Sequence, residues 1–441
     1  MALQRRFCGV AVVLAGALLL VAPFTARAQN SSLNAYSPYS MYGIGDIGLQ
    51  GPTQTRSMGA TGVAYRSPVT VNNLNPASLG GVGQKAFLFD VGLEGANYYL
   101  GSRGLDGQMR NTSFNTFNIK DISLAFPVGR GVGFSVSMTP FSEVGYRIER
   151  MEDDPDILST LGQVKYTHIG QGGITQYKAG LGVALTKRFS LGANLIYYKG
   201  EIDRMYYITV LPTMTKESYN SVNAVNYSNI SKFYGAFGFQ WNLLATSKRM
   251  LSLGATYQPG GKLGMNTTRY IPSSNMSQDT IANITTRMPF KMPSTLRAGV
   301  CYANEKWLLS ADYIFQNWSA NKQSESPIVK YVNTNSVRFG AEITPNRGDF
   351  RHTLNRWSYR AGLRYDQYYM DIRNTRLADA AVTFGVGIPI KMGGPSSINI
   401  GVEAGRQGRT TNGLVQTNYF KILLSLSMFG DDFWFVQPKY D

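Results

Sequence analysis

The chain has 441 residues, a formal charge of +16, 12% aromatic residues, two cysteines and two histidines, and a slightly negative mean hydropathy. Cys301 is the one cysteine beyond residue 28, so with the leader removed neither a metal cluster nor a thiol pair is available. The basic residues are scattered without an arginine-rich tract, which argues against nucleic acid and for anionic headgroups at a membrane rim.

Residues 1–28 read as a cleaved signal peptide. Arg5 and Arg6 precede an apolar stretch from Val10 to Val21, and Ala26-Arg27-Ala28 supplies a small-x-small cleavage site. A membrane anchor is the alternative, but the stretch is shorter than the ~20 residues a spanning helix needs. Cys8 lies ahead of the apolar stretch and is no lipidation site. Loss of the leader leaves the mature chain at about +13, with Cys301 as its one thiol.

The segment 29–84 does not alternate; it is rich in Gly, Pro, Asn and Ser, yet too apolar in patches for a simple tail. It reads as a hatch or plug, with a disordered leader as the alternative. Residues 85–429 alternate polar and apolar with no intervening amphipathic helix, the pattern of an all-β transmembrane antiparallel barrel. Fourteen strands fit, at 85–99, 113–127, 130–149, 174–187, 190–209, 231–245, 249–270, 282–302, 306–320, 334–345, 356–371, 379–391, 396–409 and 415–429. In the last of these, Phe420, Ile422, Leu424, Leu426 and Met428 face lipid, while Lys421, Ser425 and Ser427 face inward.

Short connections at 129–130, 187–189, 246–248, 303–305 and 392–395 alternate with long ones at 150–173, 210–230, 271–281 and 321–333, with 346–355 as an exception. An even count sets both termini in the periplasm of a Gram-negative outer membrane, in contact with lipid and lipopolysaccharide. Residues 161–169 leave room for an extra hairpin arm. Tyr98, Tyr99, Tyr146, Tyr197, Tyr198, Trp241, Trp307, Trp318, Tyr368 and Tyr369 suit interfacial girdles. Inward glycines, among them Gly182, Gly192, Gly238, Gly254, Gly299, Gly340 and Gly362, leave room inside.

Asp90, Glu94, Arg297, Arg360, Arg364 and Asp366 fall on inward faces as candidate lumen polar residues, with Lys178, Asp312, Arg338, Glu342 and Glu403. Most are expected to pair with one another or with the hatch. A carboxylate-bearing ligand would use an arginine such as Arg297 or Arg360. His168 and His352 fall in connections at opposite ends, and no nucleophile elbow, phosphate loop or metal spacing is present, so no catalytic, cofactor or metal residue is assigned and the chain reads as no enzyme. Glu152, Asp153, Asp154 and Asp156 form an acidic loop, more simply a solvated one than a cation site.

The run from Arg56 to Ala64, followed by Asn72-Asn73-Leu74-Asn75-Pro76-Ala77-Ser78-Leu79, resembles the N-terminal hatch of the FadL-like outer-membrane transporters of hydrophobic compounds. Residues 296–300 leading through Trp307 to Asp312-Tyr313, and the run from Arg360 to Asp366, are further similarities. The resemblance implies a fourteen-stranded barrel plugged by a hatch with the motif Asn75, Pro76 and Ala77. It also implies passive uptake of long-chain fatty acids or other hydrophobic small molecules, with lateral exit at a kink in the third strand. Pro140 lies there, although a strand-end proline is the plainer reading. The tail 430–441, with Phe433, Trp434, Phe435 and Tyr440, and the aromatic run 37–46 depart from the simple pattern. They resemble FadL-like barrels of the Bacteroidetes type, some of which serve outer-membrane assembly or secretion proteins as non-transporting accessory barrels. That role is the alternative to uptake, and a general porin is disfavoured by the hatch.

Overall fold

In lipid every backbone polar group must be satisfied within the protein, and a closed antiparallel sheet achieves this while showing apolar side chains to one side only. The computed structural model describes residues 35–431 apart from 85, 105–106, 212–221, 247, 273–279, 289, 323–325, 350 and 392–394. Its wall is a closed barrel of fourteen antiparallel strands, as the alternation predicts. The first six are β1 (Ala86–Arg103), β2 (Met109–Gly129), β3 (Val132–Met151), β4 (Val164–Ala184), β5 (Phe189–Val210) and β6 (Val222–Ala245). Next come β7 (Arg249–Gln258, continued by Met265–Pro272), β8 (Thr280–Met288, continued by Ser294–Asn304), β9 (Trp307–Asn317) and β10 (Val329–Tyr331 with Thr334–Ile343). The circuit ends with β11 (Ser358–Ile372), β12 (Thr375–Lys391), β13 (Pro395–Gly408) and β14 (Val415–Asp431). β14 closes on β1 along a ladder from Ser102 opposite Val415 to Ala86 opposite Asp431.

The outer face carries Leu195, Phe233, Phe237, Phe339, Leu363 and Phe384, all exposed and all lipid-directed by the strand period of two. Several strands exceed the 9–11 residues that cross a bilayer, so they project beyond it at the end where the long connections lie.

Three details differ from the expected strand map. β4 begins at Val164 instead of residue 174, and the connection before it holds a short helix, Pro155–Leu161, whose N-cap Asp154 accepts from the Asp156 amide. β7 and β8 are each interrupted, where Pro259 and Pro293 remove ladder donors. The interruptions pair with each other through Gly261–Lys262 and Lys291–Met292, carrying Leu263, Phe290 and Met292 into the interior. Finally, of the aromatics expected in girdles, Tyr99, Trp241 and Trp307 are exposed outside, but Tyr146, Tyr198, Trp318, Tyr368 and Tyr369 are buried inside. Those five sit on inward positions and pack with Tyr39, Phe141, Phe290 and Tyr331 into an aromatic cap at the long-loop end of the lumen.

Candidate functional site: the filled lumen and the broken seam

The described chain starts at Ala35 in the long-loop half of the barrel, threads the lumen and reaches β1 at the short-turn end. Tyr36 stacks on Phe114 of β2 at 4.0 Å, and the Ser37 amide donates to the Gly145 carbonyl of β3 at 2.8 Å. Below, the helical turn Thr53–Arg56 and the 3-10 turn Pro76–Gly81 lie against the inner wall. Glycines opposite them are paired across strands: Gly182 with Gly192, Gly192 with Gly238, Gly254 with Gly299, Gly340 with Gly362, and Gly385 with Gly401. A Cβ at Gly362 would overlap the Gly59 amide, at Gly340 the Met58 carbonyl, at Gly254 the Val63 carbonyl, and at Gly238 the Asn75 side chain. The space those glycines leave is occupied by the chain's own backbone.

The Asn75-Pro76-Ala77 motif has a structural cause. The Asn75 Oδ1 accepts from the Ala77 amide at 3.0 Å, capping the turn, while its Nδ2 donates to the Val63 carbonyl at 2.8 Å and to the Phe239 carbonyl of β6 at 3.1 Å. Pro76 occupies the first helical position, where no amide is needed. One asparagine thus joins two turns of the inner segment to the wall.

Charged side chains complete the attachment. Arg56 pairs with Glu94 of β1 and approaches Glu403 of β13 at 3.9 Å. Arg364 of β11 reaches Glu403 at 2.8 Å, Asp379 at 2.8 Å and Asp366 at 2.6 Å, and Asp366 also binds Arg338 at 2.9 Å. Arg360 pairs with Glu342 at 2.7 Å and donates to Asn399 at 2.8 Å, and Asp90 accepts from Ser427. Asp312 receives the Gly62 and Val63 amides at 2.6 and 3.0 Å. Burial lowers the Arg56 pKa, but Glu94 and Glu403 more than reverse this and hold it raised. Burial raises the Asp46 carboxyl against the hydrogen bonds from Ser37 and Tyr368.

All six candidate lumen residues therefore face inward, and five have partners. Arg297 alone of the six makes no ion pair or hydrogen bond among the described residues, although it lines the lumen cavity. That cavity has a volume of about 180 Å³ and is bounded by Glu94, Lys120, Arg297, Asp312, Arg338 and Asp366 among others. It is small beside the ~300–1,000 Å³ of ligand pockets, and its charged groups share the lining with Ile47, Leu49, Val63, Leu74, Phe141 and Ile314.

Among the described residues, the seam between β2 and β3 is incomplete. β2 and β3 pair from Gly129 opposite Val132 up to Ile122 opposite Met138, and no pairing between them is found beyond that among the described residues. Pro140 lies just past this point, and β3 bulges against β4 between Pro140 and Ser142. The edge of β3 left bare by β2 is taken by the inner segment. Asp46 and Ile47 pair with Glu143 and Ser142, and the Gly48 amide donates to the Phe141 carbonyl at 2.9 Å. Lys120, at the upper end of the paired seam on β2, forms an ion pair with Glu143 across the break. Sequence alone singled out Pro140 but not Lys120, Glu143 or the two-residue strand that substitutes for β2.

The two histidines are separated, but His168 lies within β4 and not in a connection, because that strand begins at Val164; there it packs edge-on against Tyr206, while His352 bonds Asp349 in a short-turn-end connection. The tail residues Phe433, Trp434, Phe435 and Tyr440 and the signal peptide lie outside the described residues.

A closed barrel of fourteen antiparallel strands is the fold of the FadL-type outer-membrane proteins. Three solved structures share it: the Ralstonia pickettii toluene transporter TbuX, the Pseudomonas putida toluene transporter TodX, and a FadL homologue from Pseudomonas aeruginosa. TbuX is 17% identical with a TM-score of 0.56, covering 86% of this chain and 98% of that one. TodX is 17% identical with a TM-score of 0.57 over 87% and 98%, and the FadL homologue is 14% identical with a TM-score of 0.56 over 88% and 99%. No curated protein matches. The family model described as BamG matches residues 12–441, and the chain belongs to that family.

Proposed function

We propose that this protein is a non-transporting accessory barrel of an outer-membrane assembly complex, a non-enzyme whose surfaces and chain ends engage partner proteins. The observation that carries this reading is the lumen. It is filled by the inner segment, stitched by ion pairs, and left with a small cavity into which several charged side chains project. The BamG family name points in the same direction. In this reading the short-turn end faces the periplasm, and the aromatic tail residues Phe433, Trp434, Phe435 and Tyr440 dock a partner.

A second reading keeps one specific observation. The seam beside Pro140 is broken, and the fold is shared with toluene transporters, so passive uptake of a hydrophobic compound with hatch movement and lateral exit is the competing function.

The test is gentle extraction of the native protein, followed by mass spectrometry of copurifying proteins, with and without truncation after Asp431. Stoichiometric partner proteins that are lost on truncation support the accessory role. A lone barrel carrying a fatty acid or aromatic hydrocarbon overturns it in favour of uptake.

A further inference from the structure

The short turns carry a charge pattern that neither the lumen nor the broken seam uses. Arg130 occupies the β2–β3 turn and Lys187 and Arg188 the β4–β5 turn, all exposed, and the two turns touch through the Ala184 amide and the Gly131 carbonyl at 2.7 Å. The Asn242 amide donates to the Arg188 carbonyl at 2.7 Å, which joins this pair to the β6–β7 turn with exposed Lys248 and Arg249. Arg249 stands opposite Asn304, at the start of the β8–β9 turn with exposed Lys306, and the Thr344 amide donates to the Lys306 carbonyl at 2.8 Å. The last connection, between β10 and β11, adds exposed Arg351 and Arg347, the latter 3.9 Å from Glu342 yet 68% exposed.

The result is a continuous arc of cations over five successive turns, against only two carboxylates in those turns, Glu305 and Asp349. Asp349 is already engaged by Asn355 at 2.7 Å and by the His352 amide at 2.9 Å. At the opposite rim Lys322, Arg373 and Arg409 are exposed in separate connections, while the β3–β4 connection carries Glu152, Asp153, Asp154 and Asp156 and no base.

Depth decides what the arc meets. Trp307 follows Lys306 directly, and Trp241 lies opposite Phe189, next to Arg188, with both tryptophans exposed on the outer wall. Such aromatics sit at the membrane interface, so cations one residue further out lie at the level of the headgroups. We propose that this arc is a binding surface for the phosphate headgroups of anionic glycerophospholipid in the leaflet at the short-turn rim. The proposal stands whichever function the barrel has, because it depends on the turns alone.

The test uses the full-length protein in nanodiscs of equal phosphatidylglycerol and phosphatidylcholine, with retained lipids counted by native mass spectrometry. Phosphatidylglycerol is expected to be enriched, and raised salt during extraction should weaken the enrichment. The combined variant Arg188→Gln, Lys248→Gln, Arg249→Gln and Lys306→Gln should lower it by about tenfold or more. Lys322→Gln with Arg409→Gln at the other end should leave it intact, and the heat-dependent gel shift of a folded barrel verifies both variants. Equal retention of the two lipids would overturn the proposal. So would a four-site variant that keeps its lipid preference while losing a copurifying acidic protein.

Discussion

Two regions of the lumen hold the inner segment by different means. Along the paired glycines the segment lies backbone to backbone on a complete wall, and Asn75, Arg56 and the Asp312 carboxylate fasten it from several strands. Beside Pro140 the wall is incomplete, and the same segment acts as a strand, with Asp46 and Ile47 taking the edge that β2 abandons. In the first region the segment fills space; in the second it completes a hydrogen-bonding surface. The difference teaches that displacing the segment from the glycines requires breaking buried ion pairs, whereas withdrawing it from β3 breaks a short ladder of backbone hydrogen bonds.

That contrast can be broken first at Arg364. Arg364→Ala leaves Glu403 and Asp379 without their direct Arg364 partner and Asp366 with Arg338 alone, and breaking a buried pair costs about 3–5 kcal/mol. Urea unfolding in detergent, followed by the heat-dependent gel shift, should register this; a loss under about 1 kcal/mol would mean that the network does not fasten the wall. Gly362→Ala comes next, because its new methyl must displace the Gly59 backbone, at about 1–3 kcal/mol. Limited proteolysis should then cut within residues 53–63, which are protected in the parent. Asn75→Ala removes a cap, one contact within the inner segment and one wall contact for about 1–2 kcal/mol, read from the same unfolding curve. The smallest global effect is expected at the broken seam. Ile47→Pro should change stability by less than about 1 kcal/mol, yet speed amide hydrogen exchange across Phe141–Gly145. Unchanged exchange there, or a large global loss, would erase the distinction between the two regions.

Much of this was legible because lipid enforces a period of two. The outward Phe420, Ile422, Leu424 and Leu426 could be read directly, and so could the inward placement of Asp90, Glu94, Arg360 and Arg364. The partners were not legible, since Arg56 meets Glu94 and Arg364 meets Glu403 across separations that only closure of the barrel defines. Alternation also says which face a tyrosine occupies but not what covers it, so Tyr198, Trp318 and Tyr369 passed for girdle residues while belonging to the cap. Pro259 with Gly260-Gly261, and Pro293, mark the interruptions in β7 and β8 in the sequence itself. The inward glycines were read as empty room, although rows of glycine on facing strands equally suit a close backbone approach.

The most direct test of an occluded, non-transporting barrel is the rate of oleate entry into sealed phospholipid vesicles containing the purified full-length protein. The filled, charged lumen predicts a rate equal to that of protein-free vesicles at every barrel density. A rate that rises with barrel density, and falls when a disulfide between cysteines placed at 120 and 143 locks the broken seam, would contradict it and establish lateral passage instead.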